Sequence, residues 1–365
     1  MSEARPSRPA GWHGLHRVAI VGASTLKGKE LKETLEDRNF PSGDVILLDD
    51  DDAQGQLDAI GDEVTFIQAV ARDSFDDVDL VFFASNEDFT LKTWKQAQKS
   101  GAGIVDLSYA LEVERTMRVR SPWLERELRP EAAMPVVGGL GVGVGVDLEA
   151  TAVVAAHPAA TMLALLLTRL TRAVPLRTAS AIVFDPVSEQ GKRGMDELHQ
   201  QTLNLLSFQT MPKEIYDMQV AFNMLSRYGE EAKASLEQVT DRIARHFTHI
   251  TRGKAPLPAL QVLQAPTFHA HALSLYFEPE GKTTVTELQA AVTGDHVTVV
   301  AQDEDGPSNV TAAGQEEVLV SLRADRSQSR GFWLWAAGDN LKISAITALE
   351  CALALAAGRP SGKIQ

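Results

Sequence analysis

Hydrophobic and polar positions along this chain fall into two regimes. In the first, short apolar runs (Arg17-Val-Ala-Ile-Val21, Asp44-Val-Ile-Leu-Leu48, Val78 to Ala84, Gly103 to Leu107) alternate with stretches of helical spacing such as Lys27 to Arg38 and Asp88 to Lys99. The first run ends in a glycine turn and Pro41 stops the helix that follows, which makes a β-turn-α unit. Strands and helices alternating through short connections predict an α/β domain with a doubly wound parallel sheet, whose ligands bind at the carboxyl ends of its strands.

Beyond Thr151 the pattern changes. A helix over Thr161 to Arg172 precedes strands near 177–184, 268–278, 296–301, 316–323 and 331–337, with amphipathic helices near 192–206 and 230–246. Grouping of this kind predicts an α+β domain whose mostly antiparallel sheet has one covered face. A last helix is expected over Asn340 to Ala357. Gly138 to Gly145, glycine alternating with valine or leucine, is the single low-complexity stretch, and no internal repeat is present.

Composition narrows the partners. A length of 365 residues exceeds what one core usually serves, and 44% hydrophobic residues suffice for two. The formal charge of −14 argues against nucleic acid and anionic membranes, both of which attract basic proteins. The one cysteine, Cys351, excludes an intrachain disulfide and fits a reducing compartment, so a cytoplasmic location is expected. The first fifteen residues have no apolar h-region and read as a loose tail. The longest apolar run, Thr161 to Leu170, is far short of the roughly 20 residues a bilayer requires.

Five segments carry the candidate chemistry: Gly22-Ala-Ser-Thr-Leu-Lys-Gly28, His157-Pro-Ala-Ala-Thr161, Ala221-Phe-Asn223, Phe268-His-Ala-His271 and Gly338-Asp-Asn-Leu341. A glycine turn between strand and helix points backbone N–H groups and the positive helix end at a pyrophosphate, which marks Gly22, Ser24, Thr25, Leu26 and Gly28 as nucleotide candidates. After the next strand, Leu47-Leu-Asp-Asp-Asp-Asp-Ala-Gln-Gly55 places Asp49 and Asp50 where a ribose 2′-hydroxyl would be accepted. The same run also reads as a solvated acidic loop. If His269 and His271 lie on a strand they share a face. No third ligand of suitable spacing accompanies them, so no metal is expected.

In their order these segments resemble the aspartate-semialdehyde dehydrogenase family, from about residue 16 to 357. The resemblance implies a Rossmann-like nucleotide domain of residues 16–157 and 339–365, completed by the last helix. It also implies a dimerisation and substrate domain of residues 158–338, after a flexible tail of residues 1–15. The family's Gly-Ala-Thr-Gly-x-Val-Gly keeps its end glycines here, with Thr25 at the middle one. Its second segment reads Asn-Pro-Asn-Cys-Ser/Thr, where the cysteine attacks the carbonyl or acyl phosphate; the matching residue is Ala160.

His271 aligns with the family's acid/base histidine, and Asn340 falls at a cofactor position. Among substrate positions, Glu231 and Lys233 match, whereas Gln264 replaces the carboxylate-binding arginine and Asp185 replaces a glutamine. Glu112 follows Asp106-Leu-Ser-Tyr-Ala-Leu, where the family has its phosphate-binding arginine. An anionic acyl phosphate is therefore expected to meet acids without the arginines that neutralise it. Asp52 replaces the arginine that holds a 2′-phosphate. A carboxylate about 4 Å from that phosphate costs on the order of 4 kcal/mol at an effective dielectric near 20, so NAD is favoured over NADP if either binds. Thr161, at a helix start, is expected to cap, and Cys351 to fill core.

Two functions follow. One is a catalytically degenerate relative kept as a homodimeric binding or regulatory subunit, able to pair with an active family member. The other is a divergent NAD-dependent oxidoreductase that works without a cysteine nucleophile, with His271 moving the proton.

Overall fold

In the computed structural model the described residues are 15–60, 63–129, 136–137, 140–141, 152–301, 305–328 and 330–358. The chain opens with β1 (Leu15–Val21), α1 (Leu26–Asp37), β2 (Ser42–Asp49) and the hairpin β3 (Leu57–Ile60) and β4 (Glu63–Phe66). Next come β5 (Gln68–Ala69), β6 (Leu80–Phe83), α2 (Glu87–Lys99), β7 (Gly103–Asp106), β8 (Arg118–Arg120) and α3 (Pro122–Leu128). A small pair, β9 (Val136–Val137) and β10 (Leu140–Gly141), leads to β11 (Ala152–Ala155). The glycine-rich stretch Gly138 to Gly145 lies, apart from Leu140 and Gly141, outside the described residues.

Seven of these strands form one parallel sheet in the order β5-β2-β1-β6-β7-β11-β8. Its central strands β6, β7 and β11 are buried at every position, as strands with both faces covered must be. That burial explains why they read as unbroken apolar runs.

The second part comprises α4 (Pro158–Ala173), β12 (Leu176–Asp185), α5 (Gly191–Leu206), α6 (Leu236–Thr251), β13 (Ala259–Gln264) and β14 (His271–Pro279). It continues with α7 (Val285–Val292), β15 (Val297–Val299), α8 (Asn309–Ala312), β16 (Val318–Ala324) and β17 (Phe332–Gly338). Its six-stranded sheet runs β13-β12-β14-β17-β16-β15, antiparallel at its centre and parallel at both edges. β14 and β17 alternate buried and half-buried positions, so one face is covered and the other carries Tyr276, Trp333, Trp335 and Phe184. α9 (Asn340–Gly358) then packs on α1, β7 and β11 of the first sheet.

Several expectations need correcting. The strand expected from 268 begins at His271, so His269 is not on it and the shared-face argument fails. Ala270, at φ 68°, turns the chain just before the strand and separates the two histidines. The helix placed at 230–246 runs instead from Leu236 to Thr251, because Ser235 caps it by accepting the Glu237 N–H at 3.2 Å. Finally, Asn340–Ala357 is a longer apolar helix than Thr161 to Leu170, with mean hydropathy 1.4 over 18 residues. Since 83% of that window is buried inside the protein, it is a core helix.

Candidate functional site

A cavity of about 670 Å³ lies where the carboxyl ends of β1, β6 and β7 face α4, β12 and α6. The glycine turn forms one wall. Gly22 takes φ 88°, and a Cβ there would stand 2.4 Å from the Ser85 nitrogen. At Gly28 a Cβ would stand 2.1 Å from the Gly22 carbonyl oxygen, so the turn and helix approach only without side chains. Thr25 caps α1: its Oγ1 accepts the Gly28 N–H at 2.9 Å and donates to Gly22 and Ala84 carbonyls. The N–H groups of Leu26 and Lys27 have no partner among the described residues and stand at the helix mouth.

Asp49, at the end of β2, accepts the Ser24 N–H at 2.8 Å and the Asp50 N–H at 3.0 Å. Asp50 caps a short 3-10 turn through the Ala53 N–H, and Asp52 is exposed. Asp49 and Asp50 thus sit beside the glycine turn, outside the cavity lining.

Opposite the turn, α4 begins at Pro158 with His157 as its cap; His157 Nδ1 accepts the Ala159 N–H at 3.3 Å. Capping by Thr161 is therefore corrected, since Thr161 is buried inside the helix with its hydroxyl against Ser121. Ala160 occupies the third helical position, fully buried. The His157 N–H is accepted by His246 Nδ1 at 2.9 Å, and His246 Nε2 lies 2.8 Å from Glu112. Burial lowers the pKa of both histidines, with cationic and histidine neighbours adding to the shift at His157.

His271 is buried with Nε2 2.9 Å from Asp185 Oδ1, and its Nδ1 has no partner among the described residues. Burial raises the Asp185 pKa against the opposing pull of that hydrogen bond. Asn340, also buried, accepts the Ala270 N–H at 3.0 Å and donates to Ser188 and to Glu189 Oε1 at 2.8 Å. Ligand atoms of His157, Glu189 and His271 lie within 4.8 Å of one another, a cluster that sequence spacing did not reveal.

The substrate candidates divide. Asp185 and Lys233 line the cavity, together with Thr25 and Leu26. Gln264 does not. Its amide donates to the Asp185 and Ala265 carbonyls at 2.7 and 2.9 Å and accepts the Tyr228 hydroxyl at 2.7 Å. Glu231 is exposed in the turn before α6, its N–H bonded to Asp217, and neither it nor Lys233 is on a helix.

The expected shortage of cations is also overturned. Arg242 and Arg245 of α6 line the cavity, and both bond Glu112, at 3.1 and 2.8 Å. Burial alone would raise the Glu112 pKa, but the His246 hydrogen bond and Arg242 hold it at about 2. Glu112 thus faces these partners and not a ligand. The i, i+3, i+4 spacing of Arg242, Arg245 and His246 was the available signal.

Comparisons with known proteins agree with this architecture. The model "Semialdehyde dehydrogenase, NAD binding domain" matches residues 17–158, and "Semialdehyde dehydrogenase, dimerisation domain" matches residues 167–343. A USG-1 protein homolog of Azotobacter vinelandii is 29% identical over 338 residues, covering 92% of this chain and 96% of that one. An aspartate-semialdehyde dehydrogenase of Synechocystis sp. is 28% identical over 350 residues, again covering 92% and 96%. Aspartate semialdehyde dehydrogenase II of Vibrio cholerae superposes with TM-score 0.79 at 21% identity, covering 93% of this chain and 98% of that one, a likeness of fold. With an NAD-binding domain of parallel sheet and a dimerisation domain of mixed sheet joined across this cavity, the chain belongs to the aspartate-semialdehyde dehydrogenase family.

Proposed function

We propose that this protein is a catalytically degenerate member of its family, kept as a dimeric binding or regulatory subunit. The observation that carries the reading is Ala160, fully buried at the start of α4. A helix N-terminus lowers a thiol's pKa and makes it a nucleophile, and a methyl group there forms no thiohemiacetal and no acyl-enzyme. Cys351 offers no substitute: it is buried in α9, where burial pushes its thiol pKa up. Thr161 is equally buried. The expected result is no phosphate-dependent oxidation of aspartate semialdehyde, and no reverse reaction, with NAD or NADP. Turnover at about 1 per second or faster, an ordinary enzymatic rate, defeats the proposal.

The nucleotide reading favours NAD over NADP. The Leu26 and Lys27 N–H groups would receive the pyrophosphate, and Asp49 or Asp50 the ribose hydroxyl, while the Asp49 to Asp52 run repels a 2′-phosphate. Calorimetric titration with each dinucleotide at matched salt tests this, with NAD bound and NADP excluded as the expected result.

A homodimer through the open face of the second sheet is supported by its half-buried Phe184, Tyr276, Trp333 and Trp335. The assembly extends to heterodimers with an active relative, and the lone buried cysteine fits the cytoplasm. A monomer at micromolar concentration by light scattering contradicts the dimer.

A second reading, a divergent NAD-dependent oxidoreductase working without a cysteine, is favoured by the buried Asp185–His271 hydrogen bond of 2.9 Å. Asp185 orients the ring and leaves Nδ1 to exchange a proton. On any substrate found, His271→Ala is expected to lose at least about 100-fold in kcat; full activity removes His271 from the mechanism.

A further inference from the structure

Of the cations that line the cavity, Lys27 is the one carried by the helix of the glycine turn. Lys27 leaves the first turn of α1 with its ammonium 3.3 Å from the Leu107 carbonyl oxygen, 3.6 Å from Glu189 and 4.3 Å from the Tyr109 ring centre. Burial opposes its charge, but Tyr109 and Glu189 outweigh that and raise the pKa, so the group stays an ammonium. Glu189 is fixed in turn by Asn340. Tyr109, at φ 67°, is held in an unfavourable backbone state by Asp106, which accepts the Ser108 and Leu111 N–H groups at 2.7 and 2.9 Å.

A dinucleotide on a parallel sheet lies across the strand ends, with its reactive ring directed at the groups that face them. Here the strand ends contribute Thr25, Ser85 and Ser108, and the facing groups are His157, Asp185 and Glu189. The Lys27 ammonium stands between the two sets. A nicotinamide ring placed for hydride exchange would therefore lie within a few ångströms of it. Oxidised and reduced dinucleotides share adenine, riboses and pyrophosphate and differ in the ring, which is cationic only when oxidised. The Tyr109 face that would welcome a cationic ring already holds Lys27, with Arg242 5.0 Å away from the same ring.

We infer that Lys27 makes this cavity prefer the reduced dinucleotide, binding the neutral dihydronicotinamide more tightly than the cationic oxidised ring. A subunit built so would report the redox state of its ligand without turning it over. This inference rests on the reading that the glycine turn binds a dinucleotide.

The test is calorimetric titration of the intact protein with NADH, NAD⁺ and ADP-ribose, which lacks the nicotinamide. The expected result is NADH binding about tenfold or more tightly than NAD⁺, with ADP-ribose close to NADH. In Lys27→Met the gap closes, chiefly because NAD⁺ binds better. Since that variant leaves Glu189 buried without its cation, the double variant Lys27→Met/Glu189→Gln is measured beside it and is expected to behave alike. Equal affinities in the parent protein, or a gap that survives in both variants, overturns the inference while ADP-ribose binding preserves the nucleotide reading. Absence of binding by all three overturns both.

Discussion

Two helices, α1 and α4, begin at the same cavity and bring opposite chemistry to it. At α1 the groups are polar: Thr25 caps the helix, and Lys27 puts a charge in the cavity. At α4 the first turn is apolar and buried, with Ala160 behind a cap supplied by His157. Both ends are fully supported. The α4 start hangs from the Glu112–His246–His157 chain of hydrogen bonds, and the α1 start depends on Gly22 and Gly28. The difference teaches that two helix ends can be equally well capped and still differ in chemistry, because the free N–H groups and the dipole are backbone properties while reactivity belongs to individual side chains.

The contrast breaks if the α4 side lacks structural weight. His271→Leu leaves the Asp185 carboxylate buried without its partner and is expected to cost about 3 to 5 kcal/mol in chemical denaturation. On the α1 side, Gly28→Ala forces a methyl against the Gly22 carbonyl, and a loss of about 2 to 4 kcal/mol is expected by the same measurement. If it were tolerated, the turn would be a loose connection.

Acid titration sharpens the α4 half. The Glu112 pKa is depressed on folding, so its stabilisation is complete above about pH 4.5 and is lost as pH falls towards 2. Glu112→Gln is expected to flatten this acid limb by about 1 to 2 kcal/mol, discounted for partial solvent access, as followed by circular dichroism. Smallest is Thr25→Ala, expected to cost about 1 kcal/mol in thermal unfolding as the Gly28 N–H loses its acceptor.

Much of this was legible from periodicity. The parallel sheet announced itself because strands buried on both faces are unbroken apolar runs, and α9 because its apolar residues wrap the whole helix. The hairpin β3–β4 escaped notice, since Leu57, Val64 and Phe66 are exposed and show no buried face. In the site, Ala160 was legible from the sequence as a residue with no nucleophilic atom. Lys27, Tyr109 and Arg242 were not, because a lysine in a glycine turn or an arginine on an amphipathic helix reads as surface until tertiary packing brings it inward. Glu112 was misread for the same reason: its three partners lie about 130 residues away along the chain.

The closing position of α9 bears on how the protein is made. Residues of this helix pack on α1 and on β7 and β11, elements synthesised before the whole of the second sheet. While the ribosome produces that sheet, the first must wait with one apolar face uncovered, and Asn340, which ties Ser188, Glu189 and Ala270 together at the cavity, arrives only with the last helix. Nascent chains are therefore exposed to aggregation until translation is almost finished, and a message truncated before Asn340 yields a product for chaperones and proteases and not a smaller working protein.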